Sequence, residues 1–568
     1  MTLATQHAPV GEVAHELSSE VDGYPAYGMQ KYGQEQPISP DTPLQLPQWK
    51  WSVMIAGLFL MMAVLGFDSS NLADIQISIY GAFGHIDLLP WVMAAFSLAN
   101  AAAAPLMKRL MDISDLKWFS GTSLGISAIG GIVSGSSNNM ETMIAGRLIL
   151  GIGISGAYLG IVTLLKLITT PTQLARINGL AGGGFAIGIL LGPVIGAAFA
   201  QNEHTTWRWA SYIIAPWIAV IVTLNSISFP SVHLKPTDNI VQALLEIDWI
   251  GEILHIATLV LFNTGCLFSG TRWSWDSGSA IATWVVFGVV AIVYGLQQYF
   301  CWFTTSEHRI FPVGILSCRV GFLVYVATAC SAATYGVALY YTALYFAFTH
   351  GFGAMQSAVH LLPLLCPYIV FALISGTILP RIGIYPVFFL LGGIFLTVGS
   401  GVIMVVNYQT STSNVMGLLT LIGAGIGTTF QLGVAVLPVA LPPHLVKDFG
   451  IFMNQAQYIP ITMGLSLAGC IYQNVGFNRL MNALDGLGFS ADEVREALAG
   501  LNSPILQGKN AEIAAIATSN LVDVIVKVFL LVVAAGIVMI LSACVMKWEK
   551  LDFRTEAEKN SHQVPQTA

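Results

Sequence analysis

After about 48 polar residues, among them Pro37, Pro40, Pro43 and Pro47, the chain passes into apolar runs separated by short polar or Gly/Pro clusters. Each run is roughly twenty residues long, the length a helix needs to cross the ~30 Å hydrocarbon core of a bilayer. The runs lie near 51–74, 88–107, 117–135, 142–168, 178–200 and 208–228, then 249–270 and 280–303, and finally 320–348, 357–379, 384–406, 415–440, 450–474 and 521–546. An all-α polytopic membrane protein with fourteen transmembrane spans is the expected fold class. Composition agrees: 55% of the 568 residues are hydrophobic and 9% charged, where a soluble protein carries about 25% charged residues. A water-soluble fold is thereby excluded. The opening segment lacks a basic stretch followed by an apolar core, so no cleaved signal peptide is expected and residues 1–48 read as a disordered cytosolic tail.

The basic residues give the chain a direction. With both termini on one side, that side's tails and loops hold 16 of the 23 Lys and Arg, including Lys50, Lys108, Arg109, Lys117, Arg309, Arg319, Arg381, Lys447 and Lys547. The other side has Arg208, Arg272, Arg479, Arg495 and Lys509, while Arg147 and Lys527 fall within spans. Dropping one span would scatter this bias, and the positive-inside rule places both termini in the cytosol. The one sizeable outer loop, 475–520, contains a helical stretch with Ser490 as its expected N-cap. The net charge of −7 is spread over tails and loops rather than one face, and no nucleic-acid partner is expected.

Two formal motif matches mislead. Gly151 to Gly156 reads GIGISG, a dinucleotide fingerprint, and Gly121 to Gly125 reads GTSLG, a nucleophile-elbow pattern. Both lie inside spans without the strand context their chemistry requires; small residues at such density let membrane helices approach closely. The seven cysteines form no C-x-x-C pair and read as reduced packing residues, with neither metal nor cofactor expected. The chain has no Walker A sequence, so pumping must draw on an ion gradient.

One stretch carries a family resemblance. GILLGPVIGAAFAQNEHTTWRW, from Gly188 to Trp209, resembles the antiporter signature of the major facilitator superfamily, with Ala197 in place of its final glycine. Gly188, Gly192 and Gly196 recur every fourth residue and form one smooth face beside the kinking Pro193, a surface expected to seal and unseal a cavity as two bundles rock. The EIDWIGEIL run around Asp248 to Gly251, RWSWDS from Arg272, YYTALYF from Tyr340 and LPRIGIYP from Leu379 are similar to the fourteen-helix drug:proton antiporter branch, of fungal efflux-pump type. The resemblance implies two six-helix bundles, at 49–230 and 306–547, joined by two extra helices within 231–305, with a cytosolic tail at 548–568. The family's basic-acidic inner loop departs from pattern between Lys108 and Lys117: Asp112 remains, but both glycines and the arginine are replaced.

Ionisable groups within spans are costly and therefore informative. Asp68 on the first span resembles the acid of the family's L-D-x-T motif and Arg147 on the fourth resembles its R-x-x-x-G arginine. Two readings stand, a proton-coupling pair or a structural salt bridge; a third leaves Asp68 at the membrane interface. Asp523 and Lys527 are spaced for a local i, i+4 pair, and His360 reads as a packing histidine. Tyr158, Tyr341, Gln431 and Gln457 are candidates for a mostly apolar substrate cavity, and Asn454 and Gln455 serve equally well as helix-helix hydrogen bonders. The repeat of Gly151-Ile152-Gly153 as Gly425-Ile426-Gly427 suggests that spans four and twelve are counterparts.

The resemblance implies a secondary transporter that exports an apolar or amphipathic small molecule by proton antiport. The expected partners are that substrate, protons and the lipid bilayer, with one chain sufficient and the plasma or vacuolar membrane as the location. The alternative is a proton-coupled importer, for instance of iron-siderophore complexes. An embedded enzyme would need His/Asp/Glu clusters at metal or acid-base spacing, and none is visible in the sequence.

Overall fold

The computed structural model describes residues 46–84, 88–169, 171–202, 204–234, 239–352, 354–499, 503, 505–506 and 511–553. Most of the two expected tails and part of the 475–520 loop lie outside the described residues. Fourteen long helical runs occur among those described. The first six are α1 Gln48–Phe83, α2 Leu89–Ile113, α3 Leu116–Gly135, α4 Met140–Ile168, α5 Pro171–Gln201 and α6 Trp209–Ser228. Two follow, α7 Trp249–Phe268 and α8 Gly278–Phe300. The last six are α9 Arg319–His350, α10 Ala354–Ile382, α11 Pro386–Ile403, α12 Thr412–Ala440, α13 Phe449–Ala483 and α14 Ala511–Val545. The ladders of α6, α12 and α14 are interrupted at Ile213, at Phe430 and Gln431, and at Phe529.

Twelve of these helices are long and apolar enough to cross a membrane. The exceptions, α3 and α13, stand in place through packing. Serines and glycines dilute the hydropathy of α3, but a serine such as Ser127 returns its hydroxyl to its own helix, at the Ser123 carbonyl. Helix α13 spends its polar residues on its neighbours, as described below.

The helices repeat one packing plan. In the first bundle α1 lies against α5, α4 against α2 and α3, and α3 against α6. In the second, α9 lies against α13, α12 against α10 and α11, and α11 against α14. Helices α4 and α12 are counterparts, as the Gly-Ile-Gly repeat suggests, but in a register shifted by two residues. Gly151 and Gly423 abut the second helix of their bundles and Gly153 and Gly425 the third, so Tyr158 corresponds to Phe430. The bundles meet where α2 packs on α13 and α5 on α10. Helix α7 covers the α2–α13 seam, whereas α8 leans on α7 and is almost bare.

Helices overrun the expected spans at one end of the molecule. Helix α13 continues to Ala483 and α14 begins at Ala511, so much of the expected 475–520 loop is helical. The two extensions are tied by Arg479 and Asp523 at 3.3 Å, which corrects the expected Asp523–Lys527 pair: the neighbouring helix offers a guanidinium while Lys527 points outward, exposed. The surface helix Ala491–Ala499 forms as expected with Ser490 as its cap, and Arg495 fastens it to the Thr271 carbonyl at 2.6 Å. The seven cysteines are free thiols.

Candidate functional site

Asp68 stands on α1 and Arg147 on α4, both 4% exposed or less. Arg147 Nη1 donates to Asp68 Oδ1 at 2.5 Å. A charge on either alone would be very costly at this depth, so each answers the other. The pairing is incomplete: Asp68 Oδ2 and Arg147 Nε are buried without partners. The guanidinium also lies over the Phe96 ring of α2, 5.1 Å from its centroid. Phe96 meets Tyr458 of α13 edge-on at 6.3 Å, which carries the contact into the second bundle.

The residue after Asp68 crosses the same boundary. Ser69 Oγ and the Tyr335 hydroxyl of α9 are 3.0 Å apart. Tyr335 packs against Tyr368 at 5.9 Å and Phe430 at 5.4 Å. Phe430 sits at the interruption of α12, and its carbonyl accepts from Gln457 Nε2 at 3.1 Å. That amide also reaches Gln431 Oε1, at 3.3 Å. A broken helix frees backbone carbonyls that lipid cannot satisfy, and Gln457 supplies the missing donor. Gln431 and Gln457 therefore come together as the candidate cavity residues, Gln431 reaching an accessible surface. Tyr158 and Tyr458 both pack against the first bundle's core. Tyr341 joins none of these; it is buried among Tyr340 and Tyr472 inside the second bundle.

Asn454 and Gln455 are spent between helices. Asn454 Nδ2 donates to Asn100 Oδ1 at 3.1 Å and Gln455 Nε2 to the Ala101 carbonyl at 2.9 Å, both on α2. His360 lies between Phe346 and Phe352, with Nδ1 2.7 Å from the Gln356 carbonyl, which is a packing environment.

The antiporter-like glycines lie elsewhere than expected. A Cβ at Gly188 would strike the Ala63 carbonyl and Phe67 N and one at Gly192 the Ser70 hydroxyl and Phe67 O, while one at Gly196 would press closely on Asn71. This face is used inside the first bundle, on the α1 segment that carries Asp68, and not between the two bundles. Of the side chains beside it, Ile189 joins the core of the second bundle and Phe185 packs against the cores of both. Ser70 donates to the Ile189 carbonyl at 3.0 Å and Asn71 Nδ2 to the Ala210 carbonyl at 3.1 Å, locking α1 to α5 and α6 around the acid. Pro193 lies within α5 without ending it.

At the basic end, the altered loop retains a clasp. Lys108 pairs with Asp112 on the same helix. Arg109 reaches across to the segment before α9, donating to the Glu307 carbonyl at 2.5 Å and the Arg309 carbonyl at 3.1 Å.

Sequence reasoning missed Ser69, Phe96, Asn100, Tyr335 and Tyr458. Ser69 had a signal in its place beside Asp68, and Asn100 was a lone amide in an alanine-rich span. The aromatic residues had none, because spans of this composition are aromatic throughout.

Among similar proteins, the chain is 33% identical over 514 residues to the efflux pump patC of Aspergillus clavatus, covering 90% of this chain and 93% of that one. It is 32% identical over 500 residues to the MFS-type transporter patC of Penicillium expansum, covering 88% and 91%. It is 29% identical over 520 residues to the efflux pump alnA of Emericella nidulans, covering 91% and 93%. The fold is similar to that of an inward-facing, unoccupied bacterial homolog of the human lysosomal transporter Spinster, with a TM-score of 0.57 over 88% of this chain and 98% of that one at 13% identity. Residues 58–465 match the Major Facilitator Superfamily, so the chain belongs to that family and is a multi-pass membrane transporter rather than an enzyme.

Proposed function

We propose that the protein exports an apolar or amphipathic small molecule in exchange for inward-moving protons, with Asp68 as the coupling acid and Arg147 as the group that sets its proton affinity. The observation that carries this reading is the buried Asp68–Arg147 pair, one residue from the Ser69–Tyr335 contact between bundles. Protonating Asp68 neutralises one partner of a desolvated pair, which weakens its hold on Arg147 beside the surface that must open and close. The relatives named efflux pumps favour export. Gln431, Gln457 and Tyr158 are assigned to the substrate path beside the interruption of α12. All fourteen helices are taken to span the bilayer, in two bundles and a linker pair, with the basic face and both termini cytosolic and one chain forming the working unit. The plasma membrane is the assigned location, and cell fractionation decides between it and the vacuolar membrane.

The test is gradient-driven transport in reconstituted vesicles beside substrate binding. Asp68→Asn should bind substrate and lose uphill export, because the amide does not titrate near neutrality. Arg147→Ala should also impair export. Wild-type coupling in Asp68→Asn removes the proposed role; misfolding of both single variants with recovery in the double neutral variant identifies a structural pair. Gradient-driven uptake of one nutrient, without export of any compound, establishes the importer alternative.

A further inference from the structure

A second buried acid stands outside both bundles, on α7. Glu252 is 2% exposed, and neither of its carboxylate oxygens has a hydrogen-bond partner. One turn back, Asp248 is saturated: it accepts from the Gly251 amide at 2.8 Å, from Gln297 Nε2 at 3.0 Å and from Gln298 Nε2 at 3.0 Å. The amides of α8 are thus spent on Asp248 and leave Glu252 bare. One turn on, His255 is equally buried, with Nε2 3.2 Å from the Ala101 carbonyl of α2 and its ring 5.5 Å from that of Tyr294 on α8. The Tyr294 hydroxyl is likewise buried without a partner, and it lies within electrostatic range of Glu252 and Asp248.

The cluster around Glu252 draws on several helices. Its own helix brings Asp248 and His255. Helix α8 brings Tyr294, with Tyr325 of α9 next to it. Helix α2 reaches the cluster through the Ala101 carbonyl beside His255, and α13 through the Gln455 amide that donates to that same carbonyl. No lysine or arginine among the described residues is ion-paired with Glu252. A carboxylate here would lack donors and stand beside a second carboxylate, whereas the neutral acid avoids both costs. A structural role in packing would be filled as well by leucine or glutamine; a lone carboxyl beside a histidine and a tyrosine is chemistry for holding a proton.

We propose that Glu252, with His255 and Tyr294, forms a second proton-binding site, located on the linker helices and loaded from the basic face of the protein. That face is near, because Glu252 is three residues from Trp249, whose half-exposed indole marks the start of α7 there. The site is read at the seam between the bundles, since His255 and Gln455 share the Ala101 carbonyl. Only this last consequence rests on the proton-antiport reading; the proton site does not.

The decisive measurement is infrared difference spectroscopy of the full chain in liposomes, titrated in an Asp68→Asn background. A protonated-carboxyl signal that disappears on raising the pH should persist in Asp68→Asn and be lost in Asp68→Asn/Glu252→Gln. His255→Gln in the same background should move its midpoint by about one pH unit, a tenfold change in proton affinity. In otherwise wild-type protein, Glu252→Gln should keep substrate binding and flatten the pH dependence of turnover. A signal unaffected by Glu252→Gln, or one that never titrates, overturns the proposal. If Glu252→Gln fails to insert, an unmoved midpoint in the His255 variant overturns it. Loss of coupling in Asp68→Asn alone speaks only to the coupling acid, so the two readings fail separately.

Discussion

Ser69 and Tyr335 face each other across the seam between the two bundles, their hydroxyl oxygens 3.0 Å apart, in the residue next to the buried acid Asp68. A change in the charge of Asp68 therefore acts one peptide away from a contact that holds the bundles together. The same turn of α1 is clamped from behind by the glycine face of α5. Helix α1 thus has a rigid side towards its own bundle and the Ser69 hydroxyl contact on the side that must part.

That contact is expected to bias the conformational equilibrium. Tyr335→Phe keeps the ring against Tyr368 and Phe430 and removes a hydrogen bond with a net value of about 1 kcal/mol. The closed population at this level should fall relative to the open one by about fivefold, as read by energy transfer between labels on the two bundles. Ser69→Ala should have the same effect, and the double variant should add little to either single change. Fully additive shifts would mean that the two hydroxyls act independently.

Gly192→Ala tests the rigid side. Its Cβ would meet the Phe67 carbonyl at 2.7 Å and crowd the Ser70 hydroxyl, an overpacking that costs about 1–3 kcal/mol. Thermal stability and the yield of inserted protein should both fall, with transport declining in proportion. Gly182→Ala on the same helix, where a Cβ meets open space, is expected to be silent. Arrested transport by a fully stable Gly192→Ala protein would mean that this face parts during the cycle.

What the sequence made legible follows from cost. Asp68 and Arg147 were visible as partners because a lone charge at that depth cannot be tolerated. The glycine spacing announced close helix contact, but a bare surface carries no mark of its neighbour, so α1 was not foreseen as the helix it meets. Tyr335 and Tyr341 share α9, which is apolar and aromatic on every side; no face could be singled out, and Tyr341 turned into the core while Tyr335 reached the seam. Glu252 was hidden for another reason. One turn into an apolar run, it looks like an interfacial residue, and only the burial of α7 against α2 and α13 shows otherwise.

Acid should loosen the surface helix Ala491–Ala499. Glu493 Oε2 accepts from the Ser490 amide at 2.7 Å and its hydroxyl at 2.9 Å, and Ser490 Oγ accepts from the Glu493 amide at 3.3 Å, a reciprocal cap. The Ser490 backbone and side-chain donors hold the Glu493 carboxyl below the usual carboxylate range. A depressed value means that the cap is present at neutral pH and is lost as pH falls through the folded-state value. Amide-exchange protection at Ser490 and Glu493 should drop on acidification, and Glu493→Gln should abolish the pH dependence while retaining partial capping. Equal pH dependence in both proteins would refute the role of the carboxylate.

The last prediction concerns the basic face, where Arg109 bridges α2 to the segment before α9. Its guanidinium donates to two carbonyls, Glu307 O at 2.5 Å and Arg309 O at 3.1 Å, while Lys108 is occupied by Asp112. Carbonyl acceptors impose no sequence on their segment, which explains how the clasp persists although the family's inner-loop pattern is broken. Arg109→Ala removes two charge-assisted bonds whose exposure limits them to about 1 kcal/mol each, so opening at this face should become about thirtyfold more frequent. Amide exchange across residues 305–309 should accelerate by that factor, and Arg109→Lys, with a single ammonium and no planar fork, should fall between the two. The far end supplies the control: exchange in the helix fastened by Arg495 to Thr271 should rise only if the bundles rock as rigid bodies. Unchanged exchange at 305–309 in Arg109→Ala would show that the seam of α2 and α13, with Asn100–Asn454 and Ala101–Gln455, closes this face without the arginine.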